Sequence, residues 1–195
     1  MNPRTDSEFF DAKYRADPDP WKFDTHWYEI RKRNLLMALL PEQHYRSALE
    51  PGCANGHITS ALATRCGQVI ATDIAPHALS LARDRCAGIT NVSFHHWAFG
   101  DPWCWDREFD LVFLSEVAYY LPAPVLAATV SDMSERLTAG TTIVLSHWRH
   151  AEHDHHLTGD QANDIALSAL NCAPTAAYAD ADVRIDIVIP SPERD

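Results

Sequence analysis

Past residue 46 the chain alternates short apolar runs with stretches of helical spacing. Residues 47–50, 68–73, 91–97, 109–115 and 141–147 read as strands, and helices at about 57–65, 76–86 and 122–137 separate them. The runs FDLVFLS and TTIVLSH are apolar on both alternations, the pattern of strands covered on two faces. Strand–helix alternation with short connections predicts an α/β fold with a mainly parallel central sheet and helices on both faces.

The two ends of the chain read differently. Asp6 or Ser7 offers a cap for a short helix carrying Phe9, Phe10 and Tyr14, stopped by the DPDP run at 17–20. Asp24 or Thr25 offers a second cap, for a helix from about 27 to 40 with Trp27, Ile30, Asn34 or Leu35, and Ala38 or Leu39 near helical spacing and Pro41 as its stop. Near the C-terminus, residues 160–170 look helical. Residues 183–189 alternate, with Val183, Ile185, Ile187 and Ile189 on one face and Arg184 and Asp186 on the other, as in a half-exposed strand that is antiparallel or at an edge. The tail is short for two further strands.

Composition narrows the class. A length of 195 residues predicts one domain, 1–195, with a leading helical segment at 1–40 and a core at 46–195. Sixteen basic and 27 acidic residues give a net charge of −11, which repels phosphate and so argues against nucleic acid and anionic membranes as partners. No apolar run approaches the ~20 residues of a membrane helix, and MNPRTDSEFF lacks the apolar core of an export signal. Five dispersed cysteines fit a reducing compartment, so a cytoplasmic protein, monomer or homodimer, is expected.

The most informative stretch is ALEPGCANG, residues 48–56, which leaves the first core strand and enters a helix. Glycine there lets backbone approach a ligand, and a helix N-terminus offers free N–H groups. Counted as a dinucleotide fingerprint from Gly52, its third glycine falls on His57, which disfavours a nicotinamide enzyme. Counted at alternate positions, the set is Gly52, Ala54 and Gly56, with Glu50 as a preceding acid. Asp73 ends the next strand, where a carboxylate can accept from ribose hydroxyls.

From Glu50 to about His147 the chain resembles the class I S-adenosylmethionine-dependent methyltransferases, which have a Rossmann-like fold. Within them it is similar to the nodulation protein S type, small N-methyltransferases of amino sugars. The stretches DPDPWKFDTHWYEIRKR, ALEPGCANG, FDLVFLSEVAYYL and LTAGTTIVLSHW carry this likeness. The resemblance implies that Glu50, Gly52, Cys53, Ala54 and Gly56 line the methionine part of the cofactor, S-adenosyl-L-methionine. It implies that Asp73 holds the ribose, with Ile74 beside adenine, and that Asp101 accepts from the adenine amino group, with Phe99 and Gly100 leading into it. Pro102, which has no N–H, removes the usual backbone donor to the adjacent ring nitrogen. Leu114 or Ser115 would serve the cofactor's amino end. Trp21, Tyr28 and Arg31 fall in a segment that the resemblance makes a lid, where an arginine could pair with the methionine carboxylate.

Methyl transfer to an amine needs the amine neutral, so a carboxylate or imidazole near the methyl group is required. Glu116 follows the apolar strand FDLVFLS at the sheet edge where ligands bind in open α/β folds. Tyr119 and Tyr120 follow it, and His147 ends the next strand on the same edge. HWRHAEHDHH at 147–156 holds five histidines without cysteines or zinc spacing, so a solvated loop and no metal are expected. The expected reaction is methylation of an amine on a small polar, sugar-like acceptor. O-methylation of a small secondary metabolite and a non-catalytic cofactor-binding module are the alternatives.

Overall fold

Strands buried on both faces must be apolar throughout, and β4 (Leu111–Ser115) and β5 (Thr142–Trp148) are the two such runs the sequence displays. The structure is a computed structural model that describes residues 3–190, with side chains from residue 7. The strands follow the order β3-β2-β1 in the part before residue 99 and β4-β5-β7-β6 in the part after it. The chain divides into two compact units that meet in sequence between Ala98 and Phe99.

The first unit holds α1 (Pro3–Ala16), α2 (Trp27–Leu39), β1 (Tyr45–Pro51), α3 (His57–Ala63), β2 (Cys66–Asp73), α4 (Pro76–Arg85) and β3 (Val92–His96). Its three strands are parallel, β1 on β2 and β2 on β3. Pro76 occupies the first turn of α4, where a missing N–H costs nothing. α1 begins at Pro3, before either expected cap, and the Ser7 hydroxyl instead donates to the Ile74 carbonyl at 2.7 Å. α2 has its N-cap at His26 rather than Asp24 or Thr25. Its buried face carries Lys32 and Leu36, whereas Trp27 is 69% exposed. Lys32 is neutralised by Glu29 one turn back, at 2.9 Å, which is how a lysine comes to be covered.

The second unit holds β4, a 3₁₀ turn (Ala118–Tyr120), α5 (Ala123–Arg136), β5, α6 (Gly159–Leu170), β6 (Ala176–Ala179) and β7 (Val183–Val188). β4 and β5 are parallel, and β7 runs antiparallel to both β5 and β6. Both tail strands are therefore present. β7 is not half-exposed: β6 covers its outer edge, and Asp186 is 3% exposed. α6 starts with a capping box in which the Thr158 hydroxyl accepts from the Gln161 N–H and Gln161 reciprocates. No helix among the described residues is long and apolar enough to cross a membrane.

Candidate functional site

The turn after β1 is built from three left-handed residues at alternate positions, Gly52 (φ 72°), Ala54 (φ 53°) and Gly56 (φ 85°). These are the positions the sequence spacing singles out. The Cys53 N–H donates to the Thr72 carbonyl at 2.8 Å, and the Gly56 N–H to Cys53 O at 3.0 Å. At Gly56 a Cβ would stand 3.0 Å from the Ala82 Cα, so α3 and α4 approach as closely as they do because the side chain is absent. Ala54 accepts a backbone conformation that suits glycine, and its methyl joins the apolar cluster of Tyr14, Ala75, Ala78, Phe10, Trp21 and Leu81. That contact is a reason for a methyl group at the middle of the turn.

Glu50 and Asp73 end neighbouring parallel strands, and both are buried. Asp73 accepts from the Ala54 N–H at 2.9 Å with one oxygen and from the Ala75 N–H at 2.8 Å with the other. It thereby ties the glycine turn to the start of α4, and each oxygen retains a second lone pair for a ligand hydroxyl. Burial pushes its carboxyl up to about 6, against the pull of the Ala75, Ala54 and Ile74 N–H groups and of His96. Glu50 is 3% exposed, and its Oε2 has no hydrogen-bond partner among the described residues. Burial pushes its carboxyl up to about 8, with the Asp73 charge adding to the effect and Thr59 opposing it.

Both acids hold protons more tightly folded than unfolded. Their contribution to stability is therefore full below pH 4 and shrinks as pH rises, through about 6 for Asp73 and about 8 for Glu50. Glu50→Gln removes the larger part of that loss. The ligand-free variant is expected to exceed the wild type at pH 8 by an amount on the order of a few kcal/mol. At pH 4 the two should be alike, in urea unfolding at both values.

The leading segment closes on this turn. Trp21 packs on Tyr14 (centroids 5.4 Å) and Phe23 (6.0 Å), and Phe23 packs on His57 (5.5 Å). The buried Asn55 amide donates to the Pro18 carbonyl at 3.0 Å. The Asp11 carboxylate accepts from the His77 N–H at 2.7 Å. Ile74, half-buried, has its carbonyl held by Ser7 and by His96 Nε2 at 2.8 Å. On α2, the Tyr28 ring carries the Lys32 ammonium at 4.9 Å, and Arg31 is half-buried.

In the second unit, Phe99 is buried, Gly100 is left-handed at φ 110°, and Asp101 is half-buried and bridged to Phe99. At the end of β4, Leu114 is fully covered, and the buried Ser115 hydroxyl has no hydrogen-bond partner among the described residues. Glu116 follows in a left-handed conformation, φ 55°. Its N–H donates to Ser146 O at 2.9 Å, and its Oε2 accepts from the Tyr119 hydroxyl at 2.7 Å and the Trp148 N–H at 2.9 Å. The strand exit thus brings Glu116 and Tyr119 together, as the sequence order suggests. Tyr120, packed edge-on to Tyr119, has its phenol pushed up by burial and by Asp154 and Glu116.

His147 is placed differently. It is 0% exposed, its Nε2 accepts from the Ala118 N–H at 3.1 Å, and its Nδ1 meets Asn163 Oδ1 at 2.7 Å. The lone pair of the neutral ring is taken, so the expectation of a base at His147 is corrected. The histidine-rich loop is not solvated throughout either. His150, His153 and His156 are exposed, but His155 stacks on Tyr119 with centroids 3.9 Å apart. Among the described residues, two groups bring together side chains of the kinds that bind metal ions: Asp19, Asp24 and His57, and Glu152, His153 and Asp154. Arg85 already pairs with Asp24 at 3.1 Å.

Three residues of these arrangements carried no sequence signal: Asn55, Asn163 and Trp148, the last contributing only its backbone N–H. Asparagine is commonplace in loops and helices, and nothing in its spacing reveals a buried partner. For Asn55, its place inside the glycine turn was the available hint.

The comparisons with known proteins agree with this architecture. Nodulation protein S of Rhizobium tropici is 32% identical over 151 residues, 74% of this chain and 62% of that protein. Nodulation protein S of Bradyrhizobium diazoefficiens is 30% identical over 133 residues, 66% of this chain and 62% of that protein. The chain thus spans less than two thirds of the length of these curated relatives. The crystal structure of N-methyltransferase NodS from Bradyrhizobium japonicum WM9 with S-adenosyl-L-homocysteine superposes with a TM-score of 0.80. It is 24% identical, over 99% of this chain and 100% of that one, and shares the fold. Residues 6–169 match the family model for Nodulation protein S (NodS), and the chain belongs to that family.

Proposed function

We propose that this chain is an S-adenosylmethionine-dependent methyltransferase acting on a nitrogen of a small polar acceptor, an amine of an amino sugar or oligosaccharide. Glu50 carries the reading. A buried oxygen without a partner costs about 1–3 kcal/mol unless a ligand supplies a donor, and Glu50 Oε2 is such an atom beside the left-handed turn. A cationic amino group, such as that of the cofactor's methionine part, meets its need. The resemblance supports Asp73 and Ile74 for the ribose and adenine, and Phe99, Gly100, Asp101 and Ser115 for the remainder of the cofactor. Tyr28 and Arg31 remain candidates for the methionine carboxylate. Family membership and the ligand of the NodS structure support the same reading.

The bound cofactor supplies an electrophilic methyl group. The chain's own residues align the acceptor and manage its proton. Glu116 is the proposed base: Tyr119 and the Trp148 N–H fix one of its oxygens, which sets the direction of the carboxylate. The leading segment, whose Trp21 packs on the same Tyr14–Ala75–Ala78 cluster as Ala54, serves to exclude water from the turn.

The decisive test pairs calorimetry with turnover. S-adenosyl-L-homocysteine should bind the wild type, and Asp73→Ala should weaken it by about 1.5–3 kcal/mol, the range for bonds to a charged group. Methyl transfer should be seen on amino sugars and not on their hydroxyl analogues. Binding without turnover on either panel rejects the enzyme, and turnover on hydroxyls alone rejects the nitrogen.

A lid role for the leading segment has its own measurement. Amide exchange around residues 10–31 should slow markedly when S-adenosyl-L-homocysteine binds. Equal exchange in the two states would leave the segment a fixed part of the fold.

A further inference from the structure

We infer that a buried chain of hydrogen bonds from Ala118 to Asp186 holds the turn presenting Glu116, so that His147, Asn163 and Asp186 are positioning residues for the acceptor site. The inference rests on the methyl-transfer reading for its consequence, though not for its geometry.

Glu116 adopts a left-handed backbone that L residues avoid, so neighbouring contacts must impose it. Its own N–H is tied to Ser146 O, and its Oε2 to Tyr119 and to the Trp148 N–H. The Tyr119 carbonyl accepts from the His156 N–H at 2.9 Å and the Leu157 N–H at 3.3 Å. A further anchor, and a buried one, lies two residues beyond Glu116, where the Ala118 N–H donates to His147 Nε2. A backbone N–H only donates, so Nε2 must carry the ring's lone pair. The neutral ring then bears its proton on Nδ1, which donates to Asn163 Oδ1. This fixes the Asn163 amide, whose Nδ2 donates to Asp186 Oδ2 at 2.8 Å. Asp186 is held in turn by Arg184 Nε at 2.8 Å, and Arg184 reaches Asp164 at 2.7 Å.

Each link from Ala118 onward donates in one direction and ends on a carboxylate. Reversal at any point leaves two donors or two acceptors face to face in a buried place. A neutral amide at 163 suits the scheme. A carboxylate there would face the Asp186 carboxylate and favour a charged imidazole, whose Nε2–H would push against the Ala118 N–H. The chain therefore specifies one tautomer of His147 and, through it, fixes the Ala118 end of the turn that presents Glu116.

The test uses the full chain and two variants. Nitrogen NMR of wild-type His147 should report a neutral ring protonated on Nδ1 from mildly acid to mildly basic pH. His147→Gln can still offer an acceptor to Ala118 and a donor to Asn163, whereas His147→Leu can offer neither. Ala118 amide exchange should stay slow in His147→Gln and become fast in His147→Leu. Turnover should stay within about threefold of wild type in His147→Gln. In His147→Leu, kcat should fall about 10–100-fold, the scale of an ångström-level misplacement, with the KM for S-adenosylmethionine nearly unchanged. Equal losses in the two variants would mean that the imidazole itself does chemistry, and would overturn the proposal. So would unchanged kcat or unchanged Ala118 exchange in His147→Leu. Should that variant fail to fold, the wild-type spectrum still decides, because a charged ring or an Nε2–H tautomer is incompatible with the chain. The NMR and exchange results hold even if no amine is methylated, so the two ideas fail separately.

Discussion

Gly56→Ala is expected to destabilise the chain by about 2–4 kcal/mol. A left-handed L residue costs roughly 1–2 kcal/mol, and Gly56 has φ 85°. The added methyl would also stand 3.0 Å from the Ala82 Cα and 3.1 Å from its Cβ. Neither atom can rotate away, so α3 must shift from α4, and such overpacking costs about 1–3 kcal/mol. Gly88→Ala provides the control. Gly88 has nearly the same φ, 89°, but nothing within 4 Å of where its Cβ would be. It should lose only the backbone part. Urea unfolding of the two variants side by side separates backbone strain from packing, and equal losses would mean that the helix contact at Gly56 contributes nothing.

Glu116→Gln is expected to cut methyl transfer roughly 10²–10⁴-fold, the scale of general base catalysis. S-adenosyl-L-homocysteine affinity should stay within a few-fold. Glutamine is a clean replacement here, because its carbonyl oxygen can accept from Tyr119 and from the Trp148 N–H as the carboxylate does. The left-handed turn is thus kept while basicity is lost. Steady-state kinetics on the best amine acceptor measures the effect. Near-wild-type turnover would remove Glu116 from the mechanism and move attention to Tyr119, its hydrogen-bond partner.

The fold was legible wherever burial demanded apolar residues on both faces, as in β4 and β5, or where punctuation was strong, as at Pro76. Hydrophobic alternation failed at β7 for a definite reason. Asp186 alternates with isoleucines and so looks solvent-facing, but in the interior Arg184 neutralises it and the Asn163 amide donates to it. A periodicity sees polarity and cannot see pairing. β6, four residues of AAYA, had too few side chains to declare itself. At the site, glycine spacing located the left-handed turn because glycine is chosen for that backbone. Glu116 adopts the same backbone region without glycine, so its geometry was invisible even though its place in the chain was not. His147 shows the opposite limit: position on the sheet edge suggested a base, and only its two partners reveal that its nitrogens are already used.

The docking of the leading segment onto α4 also has a consequence during synthesis. Ser7 is made 67 residues before the Ile74 carbonyl to which it donates. At the usual ~5–20 residues per second that interval is roughly 3–13 s. For those seconds Phe10, Tyr14 and Trp21 have been made while Ala75 and Ala78, against which they will pack, have not. Glu8, Asp11, Asp17 and Asp19, interspersed among these rings, supply the charge that keeps so aromatic a stretch in solution until its partners arrive.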